Sequence, residues 1–319
     1  MAEKSSEDRI DILQVGTNQM ELVDFRMYEL RENGEIYEGI YGINIAKVKE
    51  IIKYPNLIKI PSKDSLIEGI YNLRGEVIPI VSLAKWLGIN EPPNIKTKKV
   101  IITIFNNITV GFIVHDAKRI RRISWRYVKP PSEVLRHQYG NKIVGTINLD
   151  EEHVMIILDF ESICEELGIF SEEDVNRIKD AALQGAKEKK KKAKILIADD
   201  SATARRIIRT AVEPIAEKII EAKDGQEAWD ILNKLYEETG GKIEEAVDII
   251  ITDVEMPNMD GYRFTKLVKE DERFKKIPVI MNTSLSGSAN LQKAKEVGVD
   301  DFCTKFIAEE FTKAVLKHL

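Results

Sequence analysis

The stretch "AVDIIITDVEMPNMDG", residues 246–261, decides how this 319-residue chain is read. From Ile249 onward its first half is apolar and β-branched, with the length and composition of a strand buried on both faces. The strand ends in an acid, Asp253, and a turn containing Pro257 and Gly261 follows at once. In an open parallel sheet, ligands bind at the carboxyl ends of the strands. A buried strand closing on a carboxylate therefore marks a candidate site.

Outward from this strand, residues 194–319 alternate. Strands are expected at 194–198 (KILIA), 218–222 (KIIEA), 247–252, 278–282 (PVIMN) and 301–304 (DFCT), with helices between them. Ala228, Ile231, Leu232 and Leu235 form one apolar stripe that Gly240-Gly241 ends. Leu291, Ala294 and Val297 repeat the pattern, as do Phe311, Val315 and Leu319. Alternating β and α predicts an α/β domain with a parallel sheet covered on both faces.

Polar side chains fall at the same ends of these strands: Asp199 and Asp200, then Asp253, Thr283 and Lys305. Three carboxylates brought together repel, each pair by about 4 kcal/mol at 4 Å and an effective dielectric of 20. The cluster calls for a cation. Magnesium, a hard ion that takes oxygen ligands, suits a site that handles phosphate. Lys305 adds a second positive charge, and a carboxylate beside the ion can accept a phosphoryl group as nucleophile.

With "ADDS" after the first strand, "TDVEMPNMDG" after the third, "PVIMNT" and the fifth-strand lysine, residues 194–319 resemble a response-regulator receiver domain. The resemblance implies a flavodoxin-like (βα)5 fold. It implies that Asp253 is the phosphoacceptor and that Asp199, Asp200, Asp253 and the backbone carbonyl of Glu255 hold Mg2+. Thr283 is then the switch hydroxyl, Lys305 the phosphoryl-contacting lysine and Phe302 the aromatic switch. One departure is Phe306, which follows Lys305 where many receivers carry proline. Enzyme readings fit less well. The aspartates after the first strand are adjacent, not spaced as in a haloacid-dehalogenase-type phosphatase, and no GxxxxGK phosphate loop is present.

Residues 20–160 read differently, as short strands with frequent turns. Val23, Phe25 and Met27 share a face, as do Tyr41, Ile43 and Ile45. Residues 77–83 form another strand. Residues 100–114 form a hairpin turning at Asn106-Asn107, and residues 142–159 one turning near Asp150. Short helices are expected at "SLAKWLG" and "DFESICEELG". The stretches "YGINIAKVKEI" (41–51), "IEGIYNLRGEVIPIVSL" (67–83), "TVGFIVHDAKRI" (109–120) and "IVGTINLDEEHVMIILDFESI" (143–163) resemble a CheW-type coupling domain. That implies an all-β pair of packed small barrels, with Asn72, Leu73, Arg74 and Gly75 in the partner-binding region. Between the halves lies "KEKKKKAK" (187–194), in which six of eight residues are lysine. Such a run of like charge is not core and reads as a solvated tether or a helix end. The expected division is 1–170 as coupling domain, 171–193 as charged, partly helical linker and 194–319 as receiver.

A coupling domain followed by a receiver is the order found in CheV-type chemotaxis coupling proteins. The resemblance implies a cytoplasmic adaptor, not an enzyme, associated with membrane receptor arrays. Its implied partners are a CheA-type histidine kinase, chemoreceptor cytoplasmic tips and other CheW-like proteins of the array. Phosphorylation would tune kinase control during adaptation; the alternative is a phosphate sink that drains the kinase. Composition agrees. A formal net charge of -5 gives no support for nucleic-acid binding. Apolar runs fall far short of the ~18 residues of a membrane span, and the polar start "MAEKSSEDRI" has no signal-peptide core. Cys164 and Cys303 read as reduced core residues, and His115, His137, His153 and His318 have no metal-ligand spacing.

Overall fold

A computed structural model describes residues 19–60, 66–105, 108–140, 142–169, 180, 183, 192–283, 288–305 and 308–319. Its N-terminal part holds ten strands, β1 (Gln19–Leu30), β2 (Ile36–Asn44), β3 (Val48–Lys53), β4 (Ile67–Leu73), β5 (Glu76–Ser82), β6 (Lys99–Phe105), β7 (Ile108–Val114), β8 (Asp116–Ser124), β9 (Ile143–Asn148) and β10 (Val154–Leu158). Three short helices accompany them: α1 (Leu83–Leu87), α2 (Glu133–Tyr139) and α3 (Phe160–Glu166).

The strands form two five-stranded sheets, ordered β8-β1-β2-β10-β9 and β3-β6-β7-β5-β4. A single antiparallel bridge joins the ends of each: Lys129, just past β8, pairs with Thr146 of β9, and Ile58, just past β3, pairs with Ile70 of β4. Each bridge exchanges two backbone hydrogen bonds of 2.8–3.0 Å. The expected pair of small barrels is therefore present.

Val23, Phe25 and Met27 of β1 share one core with Ile101 and Phe105 of β6 and Phe112 of β7. Phe160 of α3 lies inside it, 4.4 Å from the Phe112 ring and 6.1 Å from Phe25. Leu22 and Met20 point the other way, into a second cluster with Trp125 and Met155. That two-sided burial is why β1 tolerates apolar residues at consecutive positions.

The C-terminal part alternates as expected: β11 (Ala193–Ala198), α4 (Ala202–Val212), β12 (Ala216–Ala222), α5 (Gly225–Glu238), β13 (Ile249–Thr252), α6 (Gly261–Glu270), β14 (Val279–Thr283), α7 (Ser288–Glu296), β15 (Asp301–Thr304) and α8 (Ala308–Lys317). All pairings are parallel, in the order β12-β11-β13-β14-β15. The opening stretch is the middle strand. Ile249 and Ile251 pack with Ile207 of α4 and Phe311 of α8, while Ile250 faces Leu232 of α5 and Phe264 of α6.

Some expectations change. Leu291 is exposed, so of the expected stripe only Ala294 in α7 and Val297 just past its end are buried. Ile45 packs on the core as expected, but from a one-turn 3-10 helix, Ile45–Lys47. Strand β8 and helix α2 have no counterpart in the sequence reading. Asn106-Asn107, Phe306 and most of the 171–193 linker lie outside the described residues. No helix among the described residues is long and apolar enough to cross a membrane.

Candidate phosphorylation site at the sheet's carboxyl edge

β11 and β13 run parallel and adjacent, Ala198 beside Thr252. The next residues on each strand are Asp199 and Asp253, so their carboxylates emerge side by side. Asp200 follows, and Ser201 then caps α4 by accepting the backbone N–H of Ala204. One ligand oxygen from each of Asp199, Asp200 and Asp253 lies within 4.8 Å of the others. Lys305, just past β15, places Nζ 2.8 Å from Asp199 Oδ2 and 3.0 Å from Asp253 Oδ2. Its position is fixed because its backbone N–H donates to the Thr283 carbonyl at the end of β14. Thr283 itself is buried beside the site. Phe302 is half-buried and packs on the Val254, Tyr262 and Met281 cluster.

The turn after β13 is built to hold the acceptor. Val254 N–H donates to Asp253 Oδ1 at 2.7 Å, and Gly261 N–H donates to the Val254 carbonyl at 2.9 Å. Asn258 sits in the left-handed region, φ 58°, which Asn tolerates, and its amide donates to Asp224 at 2.7 Å.

Charge dominates this pocket. Burial, opposed by Lys305 and reinforced by the Asp253 charge, pushes the Asp199 carboxyl up to about 6. Asp200 is held well above the usual carboxylate range, first by burial and then by Asp199 and Asp253 against the pull of Lys47. The Lys305 ammonium is favoured well beyond its ordinary value, because Asp199 and Asp253 outweigh the cost of burying it. One ammonium against three clustered carboxylates leaves negative charge over. This donor set fits a hard divalent ion such as Mg2+.

Four further residues reach this region from the N-terminal part, and the sequence reading missed all of them. Asn44 Nδ2 donates to Glu255 Oε2 at 3.1 Å. Lys47 Nζ lies 3.4 Å from Glu161 Oε1 in the first turn of α3, which Asp159 caps. Asn44 and Glu255 are 211 positions apart, so no local pattern could have paired them.

Glu255 is informative about pH. Burial and the Asp253 charge push its carboxyl up to about 7 from 4.5. The folded protein thus keeps a proton that the unfolded chain releases, and stability falls as pH rises from about 4.5 through 7. In metal-free buffer, Glu255→Gln is expected to flatten the thermal-stability profile between pH 5 and 8 by about 1–2 kcal/mol. An unchanged profile would remove Glu255 as the titrating group.

The other predicted residues lie elsewhere. Arg74 tips the β4–β5 turn with φ 54° and is exposed, 2.9 Å from Glu50. Asn72 Oδ1 accepts the Gly75 N–H and shapes the turn. Leu73 is turned into the core with Ile78 and Ile80, so it offers no side chain to a partner in this arrangement. Cys164 and Cys303 are free and buried. His115, also buried, contacts Glu91 at 2.7 Å.

Comparison with known proteins agrees with both halves. The CheW-like domain family matches residues 33–167, and the response regulator receiver domain family matches residues 195–317. The chemotaxis protein CheV3 of Helicobacter pylori is 40% identical over 321 residues, covering 100% of this chain and 99% of that protein.

The chain belongs to the CheV family of chemotaxis proteins.

Among solved structures, the scaffolding protein TtCheW from Thermoanaerobacter tengcongensis is 29% identical, covering 44% of this chain and 84% of that one, with a TM-score of 0.37. Chemotaxis response regulator CheY4 of Vibrio cholerae is also 29% identical, covering 40% and 99%, with a TM-score of 0.35. This CheV-family chain thus joins a CheW-like part to a receiver part.

Proposed function

We propose that this protein is a scaffold linking chemoreceptor tips to a CheA-type histidine kinase, regulated by phosphorylation of Asp253. In this reading residues 1–170 couple, 171–193 tether and 194–319 receive. The protein works as an adaptor at the cytoplasmic face of receptor arrays. The observation that carries the reading is the Lys305 ammonium held between Asp199 and Asp253, with Asp200 beside them.

The chemistry assigned to the chain follows from that arrangement. An Asp253 carboxylate oxygen attacks the phosphorus of a phosphohistidine; the P–N bond breaks and the imidazole leaves with that electron pair. Lys305 neutralises charge on the transferred group. Asp199, Asp200, Asp253 and the Glu255 carbonyl would hold Mg2+, which supplies electrostatic stabilisation of phosphoryl oxygens when bound. Phosphorylation adds charge of up to about −2. Thr283 and Phe302 are the parts assigned to follow it, shifting the receiver between two shapes. On the coupling side, the exposed Arg74 and Val77 at the β4–β5 turn form the surface offered to partners.

The test is co-sedimentation with receptor- and kinase-bearing membranes, with and without Mg2+ and beryllofluoride as phosphoryl mimic. The mimic should change binding or kinase output in the native chain and do nothing to Asp253→Ala. Binding indifferent to the mimic would sink the regulatory part and leave a tethered phosphate sink. No binding at all would sink the coupling role. Arg74→Ala is expected to weaken membrane co-sedimentation several-fold while leaving thermal stability unchanged within about 0.5 kcal/mol, as at other exposed sites. Unaltered co-sedimentation would remove Arg74 from the partner surface.

A further inference from the structure

The receiver's acid pocket lies at the seam between the two halves of the chain, with Asp200 and Glu255 partly buried. It faces a cavity of about 330 Å³ whose walls come from both halves: Asp200 and Glu255 on one side, Asn44 and Lys47 on the other. α3 packs against α4 along the same seam. Glu165 accepts the Thr203 hydroxyl and pairs with Arg206 at 2.5 Å, and Ser162 Oγ lies 3.4 Å from Thr203 Oγ1.

Lys47 stands at the centre of this seam. Its 3-10 turn is capped by Asn44, whose Oδ1 accepts the Ala46 N–H at 3.0 Å while its Nδ2 reaches Glu255. The Lys47 side chain is only 17% exposed. Burial works against its charge, yet Glu161, Asp159 and Asp200 together hold the ammonium well above its ordinary range. The two lysines divide the pocket. Lys305 pairs with Asp199 and Asp253. Asp200 makes no ion pair within 4 Å among the described residues, and Lys47 is the strongest cationic influence on it.

We propose that Lys47 is a displaceable counter-ion for the acid pocket: its ammonium and a divalent metal ion compete for Asp200, so metal loading drives Lys47 back and loosens the seam between the two halves. The inference rests on the reading of this pocket as a metal site. Its physical basis is direct. Without a metal ion, the Lys47 charge would offset part of the carboxylate charge at Asp200. An ion of charge +2 offsets that charge instead and repels a nearby ammonium in a poorly solvated space. Lys47 keeps Glu161 when it withdraws, so its release leaves no unpaired buried charge on the coupling side. Adding a phosphoryl group to the metal-bearing pocket restores negative charge. Metal alone should therefore loosen the seam more than metal with phosphoryl mimic.

The experiment uses the full chain freed of metal. Mg2+ affinity is measured by calorimetry for the native protein, Lys47→Met and Lys47→Arg. Hydrogen exchange is followed over residues 45–47 and 160–166 with and without Mg2+. Lys47→Met is expected to bind Mg2+ about 5–10-fold more tightly, as loss of one like charge nearby predicts, and Lys47→Arg to match the native chain. Mg2+ should speed exchange along the seam of the native chain, a result that requires no variant. Intact Mg2+ binding with no gain in Lys47→Met, or a seam that Mg2+ slows, overturns the counter-ion role while the metal site stands. Failure of the native chain to bind Mg2+, with Asp200→Asn behaving identically, overturns the metal reading and the inference with it.

Discussion

Gly261→Ala is expected to lower the melting temperature of the receiver part by roughly 10 °C, an effect of about 3 kcal/mol at this domain size, and to abolish Mg2+ binding. A Cβ at this position would lie 1.9 Å from the Asp253 carbonyl oxygen, 2.9 Å from its carbonyl carbon and 3.1 Å from Val254 Cα. All three obstacles are backbone. No side chain can rotate away, so either the first turn of α6 or the acceptor segment must move. Gly261 N–H also donates to the Val254 carbonyl, and separating the two would break that bond as well.

Either movement breaks the contact that seats the acceptor segment on α6, so structure and chemistry fail together. Gly240→Ala is the matched control. Gly240 has φ 63° and nothing within 4 Å of its would-be Cβ, so its cost is backbone strain alone, about 1 kcal/mol, with Mg2+ binding intact. Differential scanning calorimetry and a Mg2+ titration read both variants. A Gly261→Ala protein that melts near the native temperature and binds Mg2+ normally would show that the acceptor loop is not seated by this contact.

Gly261 also shows how legibility was distributed. From sequence it could be placed in a turn beside the acceptor because a buried strand, an acid, a proline and a glycine follow one another within sixteen residues (246–261). The same local logic found Asp199, Asp200, Thr283 and Lys305, since each ends a strand in a parallel sheet whose period is plain. What stayed hidden was set by distant parts of the chain. β8 reads as a charged segment, "DAKRIRRIS", because Arg119 and Arg122 stay exposed while Arg121 alone turns in to the buried Asp24 of β1, Nε to Oδ2 at 2.5 Å. Its alternation is meaningful only once β1 lies beside it. Leu291 matched a helical stripe but is exposed, because three apolar residues at the right spacing do not say where the stripe begins. Glu161 looked like an ordinary polar position on a short helix. Only the docking of α3 on α4 turns it toward Ser201 and Lys305.

Lys305→Met tests the pocket's electrostatics at their largest. The native ammonium is buried and ion-paired with Asp199 and Asp253. Removing one partner from a buried charge group leaves the others uncompensated, and in metal-free buffer at neutral pH this should cost about 3–5 kcal/mol. Methionine conserves most of the side-chain volume, so the loss is one of charge, not of packing. The pH dependence separates this cause from a general defect. Asp199 is already pushed up to about 6 with Lys305 present; without it, Asp199 and its neighbours hold protons to still higher pH in the folded state. The unfolded chain releases those protons near pH 4. The deficit should therefore be largest above neutrality and shrink as pH falls toward 5, the direction linkage requires when the folded-state pKa is raised. Mg2+ should recover part of the stability at pH 7.5, since the ion supplies positive charge to the same oxygens. Thermal melts of the native and Lys305→Met chains at pH 5 and 7.5, each with and without Mg2+, give the full comparison. A deficit that is the same at both pH values, and that Mg2+ leaves unchanged, would mean that Lys305 supports the fold by contact alone and that the acid pocket is not held together by charge.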